Sequence, residues 1–182
     1  FISDAGHELK TPVSVISANA ELLSRDIGEN RWLANIQYEN ERMGSLVRQL
    51  LELAKMENAV PQTERLDFSR LVRGELLPFE SVAYEQGLEL TAAVADGIAV
   101  NGDPGRLKQL VSILIDNAIR HSENGKEIAV TLKAEHGWAT LSVVNAGKAI
   151  PPEQQKRIFE RFYRVDTARS DDGHFGLGLA IA

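Results

Sequence analysis

Phe1-Ile2-Ser3-Asp4-Ala5-Gly6-His7-Glu8-Leu9-Lys10-Thr11-Pro12 opens the chain, and its reading governs the rest. At about 100° per residue, Ile2, Ala5, Leu9, Val13, Ile16, Ala20, Leu23 and Ile27 gather into one apolar helical stripe. His7 falls on the opposite, wet face with Asp4, Thr11 and Ser14. An ordinary imidazole, with a pKa of about 6.5, is mostly neutral at physiological pH and keeps a free nitrogen lone pair, so His7 is a candidate nucleophile. Glu8 points about 100° away, within reach of the other ring N–H, where it would raise the basicity of the attacking nitrogen. Taken alone, these twelve residues favour a solvated surface histidine; the remaining motifs have to overturn it.

Outward from this stretch, the first helix is expected from Ile2 to Ser24 or Arg25, with Pro12 inside it removing one hydrogen bond and kinking it just after His7. Asp26-Ile27-Gly28-Glu29-Asn30 supplies turn residues. A second helix begins near Arg31, with Trp32, Ile36, Met43, Leu46, Val47, Leu50, Leu53 and Ala54 as its apolar stripe. Two helices on a short loop form an antiparallel hairpin. A lone hairpin cannot bury both stripes, so two copies are expected to pair into a four-helix bundle.

The polar, proline-containing segment 58–65 reads as a linker between this hairpin, 1–57, and a mixed α and β domain, 66–182. There the pattern predicts a short strand at 66–68 and Ser69 as the N-cap of a helix to Gln86 that Pro78 would kink or interrupt. Strands follow at 88–95 and 98–100, joined as a hairpin by Asp96-Gly97. Asp103-Pro104 caps a helix running to about Arg120, with Leu107, Leu110, Val111, Leu114 and Ala118 buried. Strands at 127–134 and 138–144 flank the turn Glu135-His136-Gly137. The fold class is therefore α+β, a helical hairpin ahead of an α/β sandwich. The stretch 146–175 has little periodicity beyond a short helix near Gln154 to Phe162. Such long loops inside compact domains are functional lids or disordered segments.

Composition narrows the chemistry. The chain has 182 residues and a formal charge of −6, which argues against a phosphate backbone as main partner. It has no Cys, and its four His lie far apart, which excludes disulfides, thiolate metal sites and zinc spacing. No apolar run approaches the roughly 20 residues of a membrane span. Beginning mid-helix without Met and ending in an apolar run, it reads as a soluble piece of something longer.

Several residues outside the first helix could carry chemistry. Ile113, Asn117 and Arg120 share a flank at i, i+4 and i+7. Asn117 could offer an oxygen to a hard cation such as Mg²⁺ and Arg120 a charge to phosphate, or they are an edge Asn and a solvated Arg. Gly176-Leu177-Gly178-Leu179 would let backbone N–H groups approach anionic oxygens, or let a helix pack closely on a sheet. Asn145 could read a base edge with its amide, or be a turn residue.

Taken in order, these stretches resemble a known family. Phe1 to Pro12 resembles the phosphoacceptor box of two-component sensor histidine kinases. Asp116-Asn117-Ala118-Ile119-Arg120-His121-Ser122 resembles their asparagine box, Ile158-Phe159-Glu160-Arg161-Phe162-Tyr163-Arg164 their phenylalanine box, and Gly176-Leu177-Gly178-Leu179-Ala180-Ile181 their second glycine box. The resemblance implies a dimerising phosphotransfer hairpin and an ATP-binding domain of the gyrase, chaperone and histidine-kinase type. His7 would accept the γ-phosphoryl group of ATP with Glu8 as acid/base partner and pass it to an aspartate of a response regulator. Thr11 would orient water in the reverse, phosphatase reaction. Asn117 would coordinate Mg²⁺, Arg120 would meet phosphate, and His121, Asn145, Gly147, Phe159, Gly176, Leu177 and Gly178 would surround the nucleotide. Residues 146–175 would be the lid.

The same resemblance implies a homodimer and the cytoplasmic portion of a membrane-anchored bacterial sensor. The chain departs from the pattern in three places. Ile113 stands where a polar residue is usual, and Asn145-Ala146-Gly147-Lys148-Ala149 stands where Asp-x-Gly-x-Gly is usual. The chain also stops just inside the last box. These departures motivate a rival, a catalytically weak ATP-binding dimeric scaffold; a gyrase-type ATPase is a second rival that gives the hairpin no purpose.

Overall fold

The computed structural model describes residues 2–28, 30–165 and 175–182, with the side chains of residues 2–8, 52 and 56–58 outside the description. It falls into two compact units, Phe1–Val60 with Arg161–Leu177, and Pro61–Glu160 with Gly178–Ala182.

In the first unit, α1 (Ile2–Ile27) contains Pro12, and α2 (Arg31–Asn58) begins at Asn30, whose Oδ1 accepts from the N–H groups of Trp32 and Leu33 at 2.9 and 3.3 Å. Gly28 turns the chain with φ of 68°, a left-handed value that glycine adopts without steric cost. The two helices pack together, but along a different line from the one their bulkiest residues suggest. Along α2 the covered positions Leu33, Gln37, Asn40, Gly44, Val47, Leu51 and Ala54 are spaced by four and three, with Leu53 buried beside them; on α1 Val13 and Ala20 are buried and Ser17 and Ser24 half-buried. Val47, Leu53 and Ala54 of the expected α2 stripe and Val13 and Ala20 of the expected α1 stripe are thus inside, whereas Trp32, Ile36 and Met43 are exposed, as are Leu9, Ile16, Leu23 and Ile27, the last two at 49% and 57%. The seam thus mixes apolar side chains with Gln37, Asn40, Gly44, Ser17 and Ser24, and a second apolar face is left on the outside.

In the second unit, β1 (Glu64–Asp67) leads into α3 (Phe68–Glu85), followed by β2 (Glu89–Val94), β3 (Ala99–Gly102), α4 (Pro104–His121), β4 (Glu127–Glu135), β5 (Trp138–Asn145), a 3-10 turn (Arg157–Phe159) and α5 (Gly178–Ile181). β4 is the organising strand. It pairs parallel with β2, Glu89 opposite Glu127, and antiparallel with β5, Ile128 opposite Asn145. Its alternate residues Ile128, Val130 and Leu132 are fully buried and meet Phe68, Val72, Leu76 and Ala83 of α3 and Val111, Ile115, Ala118 and Ile119 of α4. A strand buried on one face and helices with one apolar side give a two-layer α/β sandwich. The β4–β5 connection is a two-residue turn in which both His136 (φ 52°) and Gly137 (φ 83°) are left-handed, as a hairpin twisted to match its strands requires.

Three local expectations are corrected. β2 and β3 do not form a hairpin; β3 pairs antiparallel with β1, Leu66 opposite Val100, in a separate two-stranded sheet. The Asp96-Gly97 turn is present, but the Ile98 carbonyl accepts from the N–H groups of Phe68 and Ser69, drawing the chain away from β2. Asp67, not Ser69, caps α3 by accepting from the Arg70 N–H at 2.9 Å. Ser69 is 1% exposed, its hydroxyl accepting from the Ile98 N–H at 3.0 Å. Pro78 lies inside α3, which runs through it. No helix among the described residues is long and apolar enough to cross a membrane.

Asp103 caps α4 through Oδ1, which accepts from the Arg106 N–H at 3.1 Å, and Oδ2 accepts from the Gln62 N–H at 2.8 Å. The backbone N–H groups of Arg106 and then Gln62 hold its carboxyl below the usual value of 3.8. A lowered folded-state value adds stability above pH 3.8 that disappears as pH falls through it. Asp103→Asn, which keeps the cap and removes the titration, is therefore expected to flatten the acid limb of the stability profile in urea melts taken below pH 5, an estimate set by the ordinary carboxylate range of about 4.

Candidate functional site

Packing fixes which side of α4 can do chemistry. With Val111, Ile115, Ala118 and Ile119 buried in the core, the helical repeat turns Ile113, Asn117 and Arg120 to the far flank. Asn117 and Arg120 are half-buried there, and His121 ends the helix exposed. The Arg120 guanidinium is gripped by Asp116 one turn back, its Nη2 lying 3.0 and 3.1 Å from the two carboxylate oxygens. Asp116 was missed as a site residue, although its i, i+4 spacing to Arg120 is legible in the sequence. Ile113 sits under α5, its Cγ2 3.6 Å from where a side chain at Gly178 would begin.

The end of β5 meets the end of α4. The Ala146 carbonyl accepts from the Glu123 N–H at 2.8 Å, which lays the 145–149 loop beside His121. Gly147 makes this approach possible: a Cβ there would lie 2.1 Å from the His121 carbonyl oxygen and 3.2 Å from the Asn145 Nδ2. So His121, Asn145 and Gly147 converge, with Asn117 and Arg120 on the adjoining turn of the same helix. Phe159 lies in the 3-10 turn and is exposed; in place of the expected helix near Gln154 to Phe162 the chain makes turns and this single 3-10 segment.

In the other unit, the Phe162 N–H donates to the Gly176 carbonyl at 3.0 Å, and a Cβ on Gly176 (φ 69°) would lie 2.5 Å from the Tyr163 carbonyl oxygen. The two ends of the segment 162–176 are thereby clasped. Phe162 itself holds a left-handed φ of 65°, uncommon for an aromatic residue. Leu177 is fully buried. The central part of the expected lid, residues 166–174, lies outside the described residues, as do the side chains of His7 and Glu8; in α1, Thr11 is exposed.

Among the described residues no group of three His, Cys, Asp or Glu side chains could hold a metal. Asn117 would contribute a single neutral oxygen, which fits Mg²⁺ only as an ion bound mainly through substrate phosphates and water, the usual habit of that cation. Glycine geometry gives a direct test. Gly147→Ala is expected to destabilise the second unit by about 1–3 kcal/mol, the usual penalty of overpacking, whereas Gly178→Ala, with only ordinary contact to Ile113, is expected to leave the denaturation midpoint unchanged.

Comparison with known proteins agrees with this arrangement. Residues 1–59 match the family described as the His Kinase A (phospho-acceptor) domain, and residues 102–182 match the family described as histidine kinase-, DNA gyrase B- and HSP90-like ATPase. The sensor protein DltS of Streptococcus agalactiae is 38% identical over 184 residues, covering all of this chain and 47% of that protein. The sensor histidine kinase YkoH of Bacillus subtilis is 36% identical over 190 residues, covering all of this chain and 41% of that protein. The crystal structure of full-length ShkA in complex with AMPPNP superposes with a TM-score of 0.76 at 26% identity, over 99% of this chain and 39% of that one. The chain thus spans about half the length of the curated relatives it matches. With one family model over the helical hairpin, another over most of the sandwich, and sensor proteins similar along the whole chain, the chain belongs to the two-component sensor histidine kinases.

Proposed function

We propose that this chain is the cytoplasmic catalytic core of a dimeric sensor that phosphorylates His7 from ATP, passes the phosphoryl group to an aspartate of a response regulator, and removes it again with the help of Thr11. The observation that carries the reading is the Gly147 approach to the His121 carbonyl, a backbone cradle beside Asn117 and Arg120, in the same chain as a phospho-acceptor helix.

In this reading the second unit binds and orients the nucleotide. Asn145 hydrogen-bonds the base edge through its amide. Gly147 lets the backbone close on the nucleotide, and Arg120, fixed by Asp116, neutralises phosphate charge. Phe159 and Gly178 complete the set. Bound Mg²⁺, with Asn117 as its protein ligand, would offset charge on the phosphate oxygens. The lone pair of one His7 ring nitrogen forms the bond to the γ-phosphorus while the bond to the bridging oxygen breaks and ADP leaves. Glu8 takes the proton from the opposite ring nitrogen. Phosphoryl transfer needs position and charge neutralisation more than covalent assistance, which suits a chain offering an imidazole on one unit and a phosphate-binding flank on another.

The exposed apolar face of the hairpin supports the dimer. Leu9, Ile16, Leu23 and Ile27 on α1 and Ile36 and Met43 on α2 leave apolar area that pairing of two copies would bury. Ile16→Glu with Leu23→Glu is expected to convert the dimer to monomer in sedimentation equilibrium without unfolding the second unit.

Ile113 favours a second reading, the weak scaffold, because it packs under α5 where a polar group would address the phosphates. Radiolabelled ATP separates the two. The kinase gives base-stable, acid-labile label that is lost in His7→Gln, and Asn117→Ala weakens Mg-dependent nucleotide binding by about tenfold or more, the loss of one contact to a charged group. Nucleotide binding with no label supports the scaffold, and phosphate release independent of His7 supports the gyrase-type ATPase.

A further inference from the structure

The hairpin seam contains a polar contact that the proposed chemistry does not use. Asn40 is 4% exposed, and its Nδ2 donates to the Val13 carbonyl at 3.0 Å and to the Ser17 hydroxyl oxygen at 2.6 Å. Its Oδ1 is sealed from solvent with no hydrogen-bond partner among the described residues. The amide orientation follows from chemistry, because a backbone carbonyl can only accept. A buried amide with one end unsatisfied costs stability, so packing alone does not account for it.

Its position accounts for it better. Asn40 stands at the middle of the seam series Leu33, Gln37, Asn40, Gly44, Val47, Leu51, Ala54. A single polar residue in such a series favours one helix register, since any slip or rotation strands its amide. The next seam position is Gly44, where a Cβ would lie 3.3 Å from Val13 Cγ1. Val13 is thus held by a hydrogen bond to its carbonyl and by a close glycine contact to its side chain. It lies six residues beyond His7 on the same helix, about 9 Å along the axis.

We propose that Asn40 is a positioning residue, setting the axial and rotational register of α1 on α2 and hence the presentation of His7. The proposal rests on His7 being the phosphoacceptor. Leu shares the γ-branched shape of Asn, is larger and has no polar group to satisfy, so Asn40→Leu should bury more apolar surface in the seam while leaving its register unspecified.

In the full chain, Asn40→Leu is expected to raise the thermal midpoint of the hairpin by a few degrees, estimated from typical entropies of unfolding. The initial rate of His7 labelling should fall about ten- to a hundredfold, the penalty of ångström-scale misplacement, with affinity for a non-hydrolysable ATP analogue unchanged. Ser17→Ala should slow labelling in the same direction, and the double variant should be no slower than Asn40→Leu alone, because both remove one contact. Unchanged labelling in Asn40→Leu overturns the proposal, and so does a joint fall of midpoint and rate, which lost packing would produce.

A second measurement does not depend on phosphorylation. The chain has no Cys, so nitroxides can be placed at the exposed positions Glu21→Cys and Glu41→Cys. The distance distribution should be narrow with Asn40 and broadened or shifted in Asn40→Leu. An unaltered distribution overturns the register role whatever His7 does. A broadened one in a chain that never labels supports the register and refutes His7 as phosphoacceptor.

Discussion

The second unit depends on the apolar core that its sheet shares with α3 and α4. Ile128, Val130 and Leu132 of β4 are buried in that core together with Val111, Ile115, Ala118 and Ile119 of α4. At roughly 1.5–3 kcal/mol for each fully buried aliphatic side chain, this core outweighs any single polar interaction at the site. It also fixes α4 about its own axis. Once four residues of the helix face the core, Asn117 and Arg120 must lie on the opposite flank and His121 at its end. The site is thus a consequence of core packing, and Asp116 and the 145–149 loop refine an orientation that the apolar contacts have already set.

Much of this was legible because it is local. Asp103-Pro104 marked the start of α4, and Glu135-His136-Gly137 marked the turn between β4 and β5, since caps and tight turns are decided by a few adjacent residues. Strand pairing is decided at a distance. Asp96-Gly97 has the chemistry of a hairpin turn and does turn the chain, yet β3 joins β1, because two N–H groups at the start of α3 find the Ile98 carbonyl. Nothing in the turn itself carries that information. The same competition moved Ser69 from cap to core, where its hydroxyl serves Ile98 instead of its own helix.

Helix phase was the other difficulty, for a physical reason. α4 has apolar residues at 107, 110, 111, 113, 114, 115, 118 and 119, too many for one narrow stripe, so Leu107, Leu110 and Leu114 were expected inside where Ile115 and Ile119 are the more deeply buried. In α2 the large residues Trp32, Ile36 and Met43 suggest an inner face over the first half of the helix, whereas the seam there runs through Leu33, Gln37, Asn40 and Gly44; farther along, Val47, Leu53 and Ala54 are buried as their spacing implies. Hydrophobicity measures the gain on burial, but closeness of approach is limited by side-chain size. A helix with two faces to cover can place its small residues against its neighbour in the chain and keep its large ones for another surface.

The positions where the sequence departs from its family's pattern are not physically equivalent. Gly147 is retained, and the 2.1 Å approach of the His121 carbonyl shows why no other residue fits without moving backbone. Ala149 replaces a usual glycine, but the only non-glycine residues with left-handed φ among those described are His136 and Phe162, so its methyl group meets no backbone strain. Asn145 keeps an acceptor and loses a charge. In a half-buried position that loss also removes part of the desolvation penalty an Asp would carry. Ile113 is the departure with a structural consequence, because it puts an apolar side chain against the start of α5 on the flank that also carries Asn117 and Arg120. The close approach at Gly147 is thereby preserved in shape while the polarity of one turn of α4 is reduced, so the sequence change falls on the chemistry of that flank and not on the fold.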